Sequence, residues 1–211
     1  MSTFIENQNW RYATKKFDAN RIISDAELEL LQEAIQLSTS SYGLQLFKVF
    51  IIKNPAVRAE LQPASWGQQQ IVDASHLIVF ANYTKYSEDD INEYIRLVTE
   101  TRSLQADSLV AYSGFMKGTL HGLSETDFQT WTAKQTYLAL GNLLNAAAEL
   151  KIDVCPMEGF DSKQYNEILG LNALNLSASL VAPIGYRSAD DATQNQKKVR
   201  KSISDLFITI N

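Results

Sequence analysis

The stretch "KQTYLALGNLLNAAAELKIDVCPMEGFD", Lys134–Asp161, changes periodicity at its middle. Its first half has no proline and is rich in small and apolar residues. Leu138, Leu144 and Ala148, with Trp131 upstream, mark an apolar helical face, and Ser124 stands where a helix N-cap belongs. This predicts a long central helix from Ser124 to about Leu150, with Gly141 and the alanines at 146–148 allowing close packing. "KIDVCP", 151–156, then reads as a short strand. Pro156 sharpens its exit and Gly159 allows a tight turn.

The same grammar extends in both directions. Ser24 and Glu27 form a capping-box pattern ahead of Leu28, Leu31 and Ile35, which predicts a helix over 25–38. "FKVFII", 47–52, is β-branched and aromatic and reads as a strand, with a short helix near 55–61 after it. "SHLIVFANY", 75–83, holds a continuous apolar run suited to a strand buried on both faces. Over 87–123 the spacing predicts a helix, a break at Ser113-Gly114 and a loop through Gly118 and Gly122. A helix over 162–169 with Gly170 at C′ and a strand over 177–186 follow. The basic cluster Lys197–Lys201 precedes an apolar tail whose Leu206, Phe207, Ile208 and Ile210 need burial, on this chain or on a partner. The expectation is one α+β domain over 1–211, a small mixed sheet surrounded by helices.

Composition removes several function classes. A net charge of −5 gives no reason to expect nucleic acid as a partner. No window reaches the ~20 apolar residues of a membrane span, and "MSTFIENQNWRYATKK" lacks a signal-peptide core, so a soluble cytoplasmic protein is expected. One cysteine excludes an internal disulfide. No histidine spacing suits zinc, and neither a G-x-S-x-G elbow nor a phosphate-binding P-loop is present. His76, at the head of an apolar strand, and Cys155, inside one, read as buried structural side chains.

The remaining candidates each allow two readings. Arg11 and Lys15 are either a solvated basic stretch or anion contacts, and the cluster at 197–201 could converge with them. The run at 38–47 either lines a ligand or ends a helix. Gln68, Gln69 and Gln70 are surface amides or hydrogen-bond partners for a heterocycle rim. Pro156-Met157-Glu158-Gly159 is an ordinary turn, or one that presents backbone N–H groups to a flat ring.

Taken in order, "RYATKKFD", "SSYGLQLF", "DASHLIVF", the opening stretch and the late "KKVR" resemble the nitroreductase family of FMN-dependent oxidoreductases. The resemblance implies an intertwined homodimer with FMN at the interface and an exchanged C-terminal arm. It implies hydride transfer from NADH or NADPH to flavin N5, then to nitroaromatics, quinones or related acceptors in a ping-pong sequence. No side chain is required as acid or base. A flavin-binding sensor or carrier without turnover, or a specialised member (dihydropteridine reductase, dehalogenase, flavin destructase), is the alternative. By the same resemblance Arg11, Lys198 and Arg200 meet the phosphate, with Tyr12 and Ala13 beside them; Ala13 lacks the hydroxyl common at its position. Lys15 reaches the pyrimidine edge. Thr39, Ser40, Ser41 and Gly43 line the flavin from the partner subunit. Gln70, or alternatively Gln68, stands where many members carry a second lysine near O2. Pro156, Met157, Glu158 and Gly159 lie against the ring, and Phe115 or Met116 borders the substrate face.

Overall fold

The Ser24–Glu27 capping box forms as the sequence specifies. The Ser24 hydroxyl accepts from the Glu27 N–H, and the Glu27 carboxylate accepts from the Ser24 N–H. It opens α2 (Asp25–Gln36), which follows α1 (Thr3–Trp10). The chain continues through β1 (Phe47–Ile52), α3 (Pro55–Ala64), α4 (Gln70–Asp73), β2 (His76–Tyr83), α5 (Glu88–Arg102) and α6 (Val110–His121). Then come α7 (Glu125–Glu149), β3 (Asp153–Val154), α8 (Ser162–Ile168), β4 (Leu176–Gly185) and α9 (Ile203–Leu206). The computed structural model describes residues 2–105 and 107–210, so residues 1, 106 and 211 of the expected domain lie outside the described residues.

The four strands lie in the order β1-β2-β4-β3, each neighbour pair antiparallel. The expected mixed sheet is therefore antiparallel, with one isolated parallel bridge between Ala13 and Val154 at its β3 edge. Both faces are covered. Ile78 and Phe80 of β2 join Leu31, Ile35, Leu140 and Leu143 of α2 and α7 in one core. Leu77, Val79 and Ala81 join Leu61, Ile71 and Tyr165 on the other side. Alternate residues of an uninterrupted apolar strand thus serve two cores, which is why "LIVFA" shows no polar alternation. His76 and Cys155 are both buried; burial lowers the imidazole pKa and raises that of the thiol, so both stay neutral.

Two helix readings need correction. In α7 the buried line is Phe128, Thr132, Gln135, Ala139, Leu143 and Ala147, while Leu138 faces solvent beside Tyr137. Nothing lies within 4 Å of a Cβ placed on Gly141, so this chain's own packing does not use its small size. The break expected at Ser113-Gly114 is absent. The chain instead turns after α5, at the left-handed Ser103, and α6 runs unbroken through Gly114 and Gly118. Glycine in a helix costs about 1 kcal/mol, and α6 offsets this by burying Met116 and Leu120 against Phe128 and Ile91. The tail beyond α9 is extended, and its apolar side chains remain exposed in the single chain.

Candidate active site

α1 ends at Arg11, where the backbone becomes extended. The carbonyls at this helix end are taken by a residue 187 positions away: Lys198 donates through Nζ to Gln8 O at 2.6 Å and to Arg11 O. A lysine at a helix C-terminus satisfies orphan carbonyls and the negative end of the dipole together. The contact brings the two basic clusters together. Arg11, Tyr12, Ala13, Pro156, Lys198 and Arg200 wall one cavity of about 410 Å³. Burial, then the neighbouring Arg200, hold the Arg11 pKa below its ordinary value. Burial, then Arg11 and Arg200, do the same to Lys198. Among the described residues none of these three cations has a carboxylate partner within ion-pair distance. Cations assembled against burial and mutual repulsion are a ready site for an anion of more than one charge.

The clamp behind this wall was not legible in the sequence. Asp191 is buried. Its Oδ2 accepts from the Tyr12 hydroxyl at 2.9 Å and from the N–H groups of Lys15 and Lys16 at 2.8 and 3.1 Å; its Oδ1 accepts from Thr193 N–H at 3.0 Å. Burial would raise its pKa, but the N–H groups of Lys15 and Lys16 and the Tyr12 hydroxyl outweigh it, and the net shift is downward. A depressed carboxylate stabilises the fold above the unfolded value near 4 and loses that contribution as pH falls through its own lower value. Urea denaturation of Asp191→Ala beside the parent chain is expected to show a gap of about 2–4 kcal/mol at neutral pH. The gap should narrow progressively in acid; one independent of pH would contradict the assignment.

The turn after β3 forms the other end. Met157 is not available to a ligand through its backbone, because its N–H donates to Val181 O at 2.8 Å and its carbonyl accepts from Val181 N–H. The outward presentation expected of Met157 therefore shifts by one residue. The N–H groups of Glu158 and Gly159 have no acceptor among the described residues, while Asp161 N–H is tied to Ala64 O. Gln68 braces this turn through Nε2, which donates to Gly159 O at 2.8 Å and Ser65 O at 3.1 Å. A Cβ on Gly159 would lie 2.9 Å from the Trp66 ring, so the close approach that needs glycine is to a side chain of this chain. Tyr137 donates its hydroxyl to the Glu158 carboxylate at 2.5 Å, and that bond, with burial, pushes the Tyr137 pKa up to about 12. Tyr137, Leu140, Leu144, Pro156, Met157, Glu158 and Leu180 line a second cavity of about 490 Å³. The two cavities share Pro156 and together form the candidate trough, with Arg11, Lys198 and Arg200 lining one and Glu158 lining the other.

Lys15 and Gln70 share the neighbourhood of Cys155, next in sequence to Pro156. Both act on the Cys155 thiol: burial raises its pKa, and the Lys15 charge and the Gln70 amide each oppose that rise. Gln70, rather than Gln68, therefore shares the neighbourhood of Lys15. The hydroxyl run stands elsewhere: Ser41 N–H donates to Gln135 Oε1 at 2.7 Å, and Gly43, at φ +79°, sits under Tyr94, whose hydroxyl would be 2.7 Å from an added Cβ. Thr39, Ser40, Ser41 and Gly43 line neither half of the trough. Tyr42 meets Tyr112, Phe115 and Trp131 at ring-centroid distances of 6.3–6.5 Å. Phe115 is exposed, whereas Met116 is wholly buried in the core and offers no face to a substrate.

An antiparallel sheet covered on both faces, with a cation-lined cavity beside its β3 edge, frames the candidate site. The chain belongs to the nitroreductase family: the profile of that family matches residues 9–186. A Bacillus subtilis protein provisionally named NAD(P)H nitroreductase YfkO is 34% identical over 216 residues, covering 96% of this chain and 95% of its own. The fold recurs in a Staphylococcus epidermidis protein provisionally described as an NAD(P)H:FMN oxidoreductase (TM-score 0.87, 18% identity, 100% and 97% coverage). It recurs also in a provisionally named nitroreductase of Exiguobacterium sibiricum solved in complex with FMN (TM-score 0.84, 20% identity, 100% and 98% coverage). No helix among the described residues is long and apolar enough to cross a membrane.

Proposed function

We propose that this chain is an FMN-dependent oxidoreductase that takes electrons from NADH or NADPH and delivers them to nitroaromatics, quinones or related acceptors, working as a homodimer. The observation that carries this reading is the trough. Its unpaired cations suit a phosphate, and the free N–H groups of Glu158 and Gly159, one cavity away, suit the polar edge of a flavin ring. FMN supplies the chemistry, accepting and returning hydride at N5. The residues of this chain hold it and set its electronics. Arg11, Lys198 and Arg200 would hold the phosphate, beside Tyr12 and Ala13, and Pro156, Met157, Glu158 and Gly159 would bed the ring. Lys15, with Gln70 beside it, would face the pyrimidine edge, where negative charge builds on reduction. Thr39, Ser40, Ser41 and Gly43 lie off the trough of their own chain, which supports their service to the trough of a partner. Phe115 is then the residue offered to the substrate face.

The deciding experiment is a visible spectrum of the purified protein, followed by anaerobic addition of NADH or NADPH. Bleaching of a yellow protein, and recovery on adding a nitro compound or a quinone, is the expected result. A protein that does not bind added FMN ends the reading; one that binds FMN but is not bleached is a carrier. Gln70→Lys places a second cation beside Lys15 and is expected to raise the flavin potential, by about 30 mV for each ~1.4 kcal/mol of added stabilisation in a two-electron couple. A redox titration with no upward shift would contradict the placement of Gln70 near the flavin.

A further inference from the structure

We propose that Asp191 is the positioning residue through which this protein selects phosphorylated flavin over the unphosphorylated form. The inference rests on the FMN reading above. Arg11 and Lys15 stand on the N-terminal segment, Lys198 and Arg200 on the C-terminal one, and one buried carboxylate joins the two. Its Oδ2 holds the N-terminal segment by three donors, Tyr12 Oη, Lys15 N–H and Lys16 N–H. Its Oδ1 holds the C-terminal segment by Thr193 N–H, at the head of the 3₁₀ turn Ala192–Asn195. Thr193 and Gln194 of that turn, and Gln196 just beyond it, continue the cavity wall to Lys198 and Arg200. Asp191 is not among the residues lining the cavity, so it acts by register and not by contact with ligand. Ring contacts come from the separate turn at 156–159, which Val181, Gln68 and Ala64 hold independently. Loss of the tie to Thr193 alone therefore disturbs the phosphate end and leaves the ring end in place, whereas loss of the whole carboxylate also releases Lys15.

The two substitutions at this position differ in a useful way. In Asp191→Asn an amide can keep its oxygen toward the three N-terminal donors, but its NH₂ then meets Thr193 N–H, and only the tie to the C-terminal segment is lost. In Asp191→Ala all four bonds are lost. FMN and riboflavin affinities are measured by flavin fluorescence for the parent chain, both variants and Tyr12→Phe, with circular dichroism to confirm folding. The expected result is an FMN affinity reduced about tenfold in Asp191→Asn. The loss should be smaller in Tyr12→Phe, with riboflavin affinity unchanged in both of these variants; in Asp191→Ala the FMN loss should be the greatest and should exceed the smaller riboflavin loss that follows from freeing Lys15. If Asp191→Ala does not fold, the asparagine and phenylalanine variants carry the same comparison. Parallel weakening of both flavins marks a general structural role and overturns the proposal, as does an unchanged ratio. A parent chain that binds riboflavin but not FMN, or neither, overturns the FMN reading and this inference together.

Discussion

Arg11→Ala is expected to weaken FMN binding by about 10- to 150-fold, corresponding to the ~1.5–3 kcal/mol of a charge-assisted hydrogen bond. The structure explains why the loss should fall on the phosphate. Arg11 is the cap residue of α1, directed by an extended backbone into the shared cavity, and its Nε is already held by Gln8 Oε1 at 2.8 Å. Little side-chain freedom remains to be lost on binding. Its pKa is depressed by burial and by Arg200, so the free site holds a cation at a disadvantage that a dianion relieves. Lys198 cannot fully compensate, because two of its three ammonium donors already serve the carbonyls of Gln8 and Arg11. Riboflavin affinity should change little, and FMN binding to the variant should become less sensitive to salt. Equal losses for FMN and riboflavin, or no loss, would move the phosphate to another place. Arg11→Ala and Arg200→Ala share one ligand group, so their combined effect is not expected to be additive.

Deletion of residues from Ile203 onward is expected to convert the proposed dimer to a monomer and to abolish FMN retention. Ile203, Leu206, Phe207, Ile208 and Ile210 are 63% to 92% exposed in the single chain. Burying each such side chain stabilises by about 1.5–3 kcal/mol, and an apolar run of this size is not left in water without reason. A candidate receiving surface lies on the same chain. β1 is an edge strand, and beside it Ile35, Phe47, Val49 and Ile51 line a groove of about 600 Å³ with Glu29, Glu33 and their neighbours. If the tail of one subunit covers the partner, its removal exposes that groove and separates the 39–43 segment from the trough it serves. Light scattering on the truncated chain decides the first part and the absorbance of bound flavin the second. A truncated protein that stays dimeric and yellow would rule out the arm.

Much of the fold was readable because local signals and burial agree in it. β1 has the expected bounds, and the Ser24–Glu27 box and the left-handed Gly170 at C′ stand where spacing put them. The errors lie where local signals compete with packing. Gly114 reads as a break, yet Met116 and Leu120 need the helix that carries them into the third core. Leu138 reads as core, yet the angular line set by Leu143 and Ala147 leaves it outside. Near the site, the Gln68 NH₂ group holds the turn through Gly159 O and Ser65 O, a use that no local pattern announces.

The sequence by itself determined the α+β class, most of the helices and strands outside 87–123, and the buried character of His76 and Cys155. These follow from periodicity, capping and composition, which act over a few residues. Tertiary structure alone decided that Arg11 and Lys198 share one cavity, that Asp191 clamps their segments, and that Glu158 and Gly159 rather than Met157 keep free N–H groups. Those facts depend on contacts between segments tens to nearly two hundred positions apart, and on which backbone donors the sheet had already engaged. No local pattern encodes either.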